Sequence, residues 1–253
     1  MMEDAGKTFC VNKIGETQNI LETLGEESVY NTCFHKKILE FEKKEVEKFY
    51  QGRSCLVLGP SEEGEIEQDL HKHFEKIAVV DASMNIIKKL QNKMQNCLFF
   101  HDMFEHVKID MKFNTILMLH ILEHLDNPIY FLQRTHDWIG QNGRIIVITP
   151  NSESIHRLLG VEMGILKNTK ELGKSDCNVG HKKVYDLVSL EGTLLAGGYK
   201  VIYQSGIMVK PFHNDFMMKL SDQQLKGLYK VGVRFPELCA DIMMVCVRKK
   251  HAL

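Results

Sequence analysis

The chain has 253 residues, 44% of them apolar and 26% charged, which suits one α/β domain with a core large enough to need no staples. A formal net charge of -1 excludes the basic excess of a general nucleic-acid binder. Seven widely spaced cysteines without a Cys-x-x-Cys pair signal neither a disulfide framework nor a zinc knuckle.

The N-terminus carries Glu3 and Asp4 and no apolar run, so no signal peptide is read there. Residues 11–50 are expected to be helical, with Ile38, Leu39, Phe41, Val46, Phe49 and Tyr50 on one side of a charged cap. From Ser54 the pattern alternates between strands and helices. Cys55–Leu58 reads as a strand that breaks at Gly59-Pro60. Ile77–Val80 is a second, closing on Asp81, after which Ser83 caps a helix bearing Ile86, Leu90 and Met94. Leu98–Phe100 is a third, ending at His101-Asp102. Phe113–Leu119 is a fourth, followed by a helix that Pro128 opens. Asn142-Gly143 turns the chain into a fifth strand, Arg144–Thr149.

A short helix is expected around Ile155–Leu159, then a polar stretch, then a helix through Leu187, Leu190, Leu194 and Leu195 that stops at Gly197-Gly198. Lys200–Ser205 and Ala240–Val247 are the last two strands. The reading is one domain with a mostly parallel, seven-stranded Rossmann-like sheet and helices on both faces. Residues 1–50 form its helical cap, 51–150 its cofactor-binding core, and 151–182 a lid insertion. Residues 183–253 complete the sheet, with a helical insertion at about 208–238. The apolar runs are strand-length, so no membrane is expected, and a cytoplasmic protein with reduced thiols is the simplest reading.

Chemistry concentrates where strands end. The Gly59-Pro60-Ser61-Glu62-Glu63-Gly64 turn offers a glycine where backbone must approach a nucleotide, though it lacks the full G-x-G-x-x-G and is no P-loop. Asp81 follows about 20 residues later, the spacing of an acid that accepts ribose hydroxyls. Asp102 ends strand three, placed for an exocyclic amine. The run His120-Ile121-Leu122-Glu123-His124-Leu125-Asp126-Asn127-Pro128 leaves strand four at the same edge. Taken singly, each of these residues is as well read as a turn glycine, a cap or a packed histidine. Together they line the edge where open α/β sheets bind ligands.

These residues, with Gly143-Arg144-Ile145-Ile146-Val147 and the His181-Lys182-Lys183-Val184-Tyr185 segment, resemble class I S-adenosylmethionine-dependent methyltransferases of the small-molecule branch. The resemblance covers roughly residues 50–150 and 180–250. It implies S-adenosylmethionine as cofactor, with Gly59, Pro60 and Ser61 at its methionine part. Asp81 with Ala82 would meet the ribose, Asp102 with Met103 the adenine, and His120 the sulfonium neighbourhood. Val57 stands where many members carry an acid.

The implied reaction is methyl transfer to a small polar acceptor, oxygen favoured over nitrogen. His181, His124 and His120 are the catalytic candidates, and His181 is narrowly favoured as general base. Tyr185, Lys210 and His213 are expected to contact the acceptor. Lys167, Lys170, Lys182, Lys183, Lys210 and His213 in or beside the lids suggest a phosphate- or carboxylate-bearing metabolite or sugar, although solvated surface is their plainer reading. No metal, nucleic-acid or membrane partner is expected, and a monomer or homodimer is. A nicotinamide-dependent oxidoreductase and a non-catalytic binding module are the alternatives; no Tyr-x-x-x-Lys occurs to favour the former.

Overall fold

The structure, a computed structural model, describes residues 33–249. Of the expected cap, residues 1–32 therefore lie outside the described residues. Helix α1 spans Cys33–Glu47. The seven strands are β1 (Ser54–Leu58), β2 (Lys76–Asp81), β3 (Cys97–His101), β4 (Phe113–Leu119), β5 (Ile139–Pro150), β6 (Tyr199–Gly206) and β7 (Asp241–Arg248). They form one sheet in the order β3-β2-β1-β4-β5-β7-β6. Pairing is parallel from β3 through β5, and β7 runs antiparallel to both β5 and β6.

Because the central strands are covered on both faces, they read as continuous apolar runs, and alternate residues enter two cores. Leu56, Leu58, Val80, Ile116, Met118, Ile145 and Val147 face one core. It is closed by Phe131 and Leu132 of α3 (Pro128–Arg134) and by Leu190 and Leu194 of α6 (Leu187–Ala196). Val57, Val79, Leu117, Leu119, Ile146 and Ile148 face the other. That side is closed by Phe34, Ile38 and Phe41 of α1, Leu90 of α2 (Met84–Lys93) and Leu225 of α8 (Asp222–Gly232).

The caps form as their residue types dictate. Ser83 Oγ accepts from Ile86 N at 3.4 Å, and Asn127 Oδ1 from Tyr130 N at 3.1 Å, one residue before the proline that suits the first turn. Gly198 at φ 86° lets the chain leave α6 for β6.

Three local differences from the sequence reading stand out. Asn142-Gly143 is no separate turn; it sits inside the longer β5, where the register jumps from Phe113↔Ile139 to Thr115↔Arg144. The β1–β2 crossover holds a six-residue 3-10 turn, Glu67–Lys72, in place of an α-helix. The β3–β4 connection holds no helix. The insertion at 151–182 contains α4 (Ile155–Glu162) and α5 (Lys174–Asn178), and that before β7 contains α7 (Asn214–Met217) and α8. Among the described residues, no helix is long and apolar enough to cross a membrane.

Candidate active site

The carboxyl ends of β1, β2, β3 and β4 lie along one edge of the sheet, which brings the glycine turn, Asp81, Asp102 and His120 into register. Gly59 N donates to Val80 O at 3.0 Å with φ 63°. That positive φ favours glycine, and a Cβ there would stand 2.2 Å from Ile121 Cδ1, so the Ile121 side chain would also have to move. Pro60 is buried and Ser61 half-buried.

The acid missing from β1 has a counterpart elsewhere. Glu67, wholly buried, reaches back so that its carboxylate accepts from both the backbone N–H and the hydroxyl of Ser61. Burial pushes its carboxyl up to about 7, with the Ser61 bonds pulling the other way. The sequence reading missed Glu67; its only signal is an acid three residues after the loop glycine Gly64.

Asp81 is buried at the end of β2, and its Oδ1 accepts from Ser83 N at 2.6 Å. Burial raises its carboxyl to about 6, against the Ser83 bond and the nearby His101 charge. Ala82 O is in hydrogen-bond contact with His101 Nε2 at 3.0 Å. The Asp102 carboxylate is exposed and accepts from Met103 N at 2.8 Å. A glycine turn with open backbone and two carboxylates at neighbouring strand ends suits a nucleoside-bearing cofactor.

At the end of β4 the backbone departs from regular geometry. His120 has φ 57°, a left-handed conformation uncommon for a side-chain-bearing residue. Its Nε2 lies 2.9 Å from Glu42 Oε1 and its Nδ1 3.4 Å from Glu123 Oε1, both carboxylates fully buried. Burial alone would lower the imidazole pKa. Glu42, together with hydrogen bonding to Glu123 and Glu42, outweighs burial and holds it well above its ordinary value. His120 thus carries its proton between two acids. Glu42 was also missed by the sequence reading. Its signal is positional: Glu42 follows Ile38 by four residues, which places an acid on the apolar side of α1.

The turn Leu122–His124 continues from His120, and the segment after α5 docks on it. Lys182 N donates to Glu123 O at 2.8 Å, and His181 N to Asp176 O at 2.9 Å. The His124 and His181 rings meet edge to face at 4.8 Å between centroids. His181 Nδ1 faces Asp176 Oδ1 at 3.2 Å. Arg157, nearly buried, holds that strap together: Nη1 donates to Asp176 Oδ2 at 3.1 Å and Nε to Thr169 O at 2.8 Å, and Nη2 reaches Glu171 O. The three histidines named from the sequence therefore converge on Glu123.

The other candidates scatter. Tyr185 is buried beneath the turn with its hydroxyl donating to Leu122 O at 3.4 Å, a packing position. Lys210 lies in the electrostatic field of Asp241, with its ammonium over the Phe34 ring, and burial lowers its pKa. The structure does not bring His213 to this group; its side chain stands 82% exposed at the start of α7. Lys170 and Lys182 form ion pairs with Asp186 and Asp126.

A mostly parallel seven-stranded sheet with an antiparallel end and ligand-type residues along its carboxyl edge defines a Rossmann-like, class I methyltransferase fold. Solved structures bear this out. An S-adenosylmethionine-dependent methyltransferase of Thermotoga maritima, described as a possible histamine N-methyltransferase, superposes with a TM-score of 0.66 at 15% identity, covering 92% of this chain and 100% of the other. The N-methyltransferase NodS of Bradyrhizobium japonicum, bound to S-adenosylhomocysteine, gives 0.59 at 9% identity over 92% and 99%. A Leishmania major S-adenosylmethionine-dependent methyltransferase gives 0.60 at 10% over 92% and 82%. A comparison with curated proteins finds no match. The DREV methyltransferase family model matches residues 16–157, more than half of the chain. The protein belongs to the DREV methyltransferase family and is an S-adenosylmethionine-dependent methyltransferase. The dehydrogenase and non-catalytic readings fall with that assignment.

Proposed function

We propose that this enzyme methylates a small polar acceptor, an oxygen in preference to a nitrogen, at the cluster of His120, Glu123, His124 and His181. The observation that carries this reading is Glu123. Its carboxylate is fully buried beside the cofactor edge, and neither oxygen makes a well-formed hydrogen bond. A buried carboxylate with one oxygen unpartnered is expensive, and one facing three imidazoles is suited to a proton-bearing or cationic group arriving with substrate.

Gly59, Pro60 and Ser61 hold the methionine part of the cofactor in this reading. Asp81 with Ala82 takes the ribose hydroxyls, and Asp102 with Met103 the adenine edge. The cofactor supplies an electrophilic methyl group on a good leaving sulfur. The residues align acceptor and methyl and keep water away. The acceptor oxygen bonds to the methyl carbon as the carbon–sulfur bond breaks, the electron pair stays on sulfur, and the hydroxyl proton leaves to solvent. His120, already protonated between Glu42 and Glu123, contributes positive charge rather than a basic lone pair. Lys210 is the cation best placed for an anionic acceptor. The segment 151–182 closes over both ligands.

The test is incubation of enzyme and methyl-labelled cofactor with fractionated metabolites, followed by mass spectrometry of the labelled product. An O-methylated small molecule whose formation is lost in a folded Glu123→Gln variant is the expected result. Label that appears only on macromolecules would overturn the small-acceptor reading.

A further inference from the structure

Glu123, His124 and His181 offer one ligand atom each, and these atoms all lie within 4.8 Å of one another. A tetrahedral zinc with bonds of about 2.0–2.1 Å needs its donors roughly 3.4 Å apart, so modest side-chain rotation closes the set. Oε2 of the buried Glu123 carboxylate has no hydrogen-bond partner, and Oε1 meets only His120 Nδ1 at 3.4 Å, although protein interiors rarely leave such atoms unpaired.

The surrounding bonds are those of a metal site's outer shell. His181 presents Nδ1 to Asp176, which leaves Nε2 for a ligand, and Asp176 is itself fixed by Arg157 and by Gly173 N at 2.8 Å. His124 is hydrogen-bonded to the Gly180 backbone, and its ring meets that of His181 edge to face. Lys182 N on Glu123 O ties the two halves of the set together although they lie 58 residues apart in sequence.

We propose that Glu123, His124 and His181 bind one divalent cation of the zinc type at the methyl-transfer edge, with a coordination position left open for the acceptor's heteroatom. Two imidazoles and one carboxylate suit zinc or cobalt better than magnesium or calcium, which take oxygen donors. Three protein donors with a vacant position is also the arrangement of sites where a metal eases deprotonation of a bound hydroxyl. This role toward the acceptor rests on the proposed function above; the binding of the ion does not.

The experiment titrates Zn2+ or Co2+ into the chelator-treated full chain, without cofactor or acceptor, by calorimetry and visible absorption. One equivalent should bind, Mg2+ should compete poorly, and the Co2+ spectrum should show nitrogen and oxygen ligation without thiolate charge-transfer bands. His181→Asn and Glu123→Gln should each weaken binding about 100-fold or more. Asp176→Asn, which removes only the outer-shell partner, should weaken it about 10–100-fold. Thermal melting of each metal-free variant checks that it folds. Should a ligand variant fail to fold, the Co2+ spectrum of the native chain and the Asp176→Asn titration decide. No saturable binding, thiolate bands, or unchanged affinity in folded variants would overturn the site. Metal binding without methylated product would count against the acceptor role alone.

Discussion

Glu67 offers the sharpest check on how the glycine turn is built. Its carboxyl is raised from 4.5 to about 7, first by burial, so the native protein holds a proton there that the unfolded chain has already lost. Stability from this group therefore falls as pH rises from about 4.5 to about 7 and is level above. Across that interval, at about 1.4 kcal/mol per pH unit, the change is on the order of 3 kcal/mol. Glutamine at this position keeps one acceptor for Ser61 N, and the Ser61 hydroxyl can rotate to accept from the new amide. Glu67→Gln should match wild type near pH 4.5 and exceed it by about 2–3 kcal/mol at pH 8. Urea unfolding of both proteins at the two pH values measures this, because every other titrating group is shared and cancels in the difference. A difference independent of pH would refute the buried, protonated carboxyl. Glu67→Leu, by contrast, strands Ser61 N and should weaken cofactor binding.

Asp81→Ala should weaken S-adenosylhomocysteine binding about tenfold or more, since hydrogen bonds to a charged acceptor contribute roughly 1.5–3 kcal/mol each, and calorimetry reads the loss directly. With the Asp81 carboxyl at about 6, cofactor binding needs the ionised form, so affinity should fall about tenfold from pH 7.5 to 5, with proton release detectable across buffers of different ionisation enthalpy. Gly59→Ala forces a side chain into φ 63° and against Ile121, which should cost at least about 1–2 kcal/mol in urea unfolding and impair cofactor binding. Arg157→Ala removes the bonds to Thr169, Glu171 and Asp176 at once; hydrogen exchange should quicken across 165–181 while β4 amides stay protected, and an unchanged pattern would show that the strap is held by other contacts.

The carboxyl edge of the sheet was legible because each of its parts is a local event: an apolar run, then a glycine or an acid where the strand stops. β4 was read residue for residue, since Phe113 and Leu119 bound an unbroken apolar segment. The Asn142-Gly143 pair misled because its left-handed residue serves a break in register within a strand, and that depends on the neighbouring β4 rather than on local sequence. The acceptor side was half legible. His120, His124 and His181 were named as catalytic candidates, and Glu123 was read at the same edge but given no role, although it lies between two of them in the chain. Glu42, Asp176 and Asp241 reach the site from α1, α5 and β7, and no spacing in the chain relates those elements to one another.

The grouping of charge around His120 also separates what the fold needs from what the site needs. Glu42 and Glu123 are fully buried, Asp241 nearly so, and Lys210 is drawn in far enough for burial to lower its pKa. Packing alone is better served by apolar side chains, because desolvating such ions costs several kcal/mol each and their mutual attraction returns only part of it. The two cores on either side of the sheet show what this chain does where packing alone is at stake: mostly Leu, Ile, Val, Met and Phe, with a few Ala, Cys, Tyr and Trp. Where β4 leaves the sheet, the same sequence places buried acids and imidazoles together, around a His120 backbone held at positive φ. A left-handed backbone at His120 and two fully buried acids against its ring coincide at the carboxyl end of β4. That coincidence marks the exit of β4, more than any single histidine, as the part of the molecule shaped for chemistry.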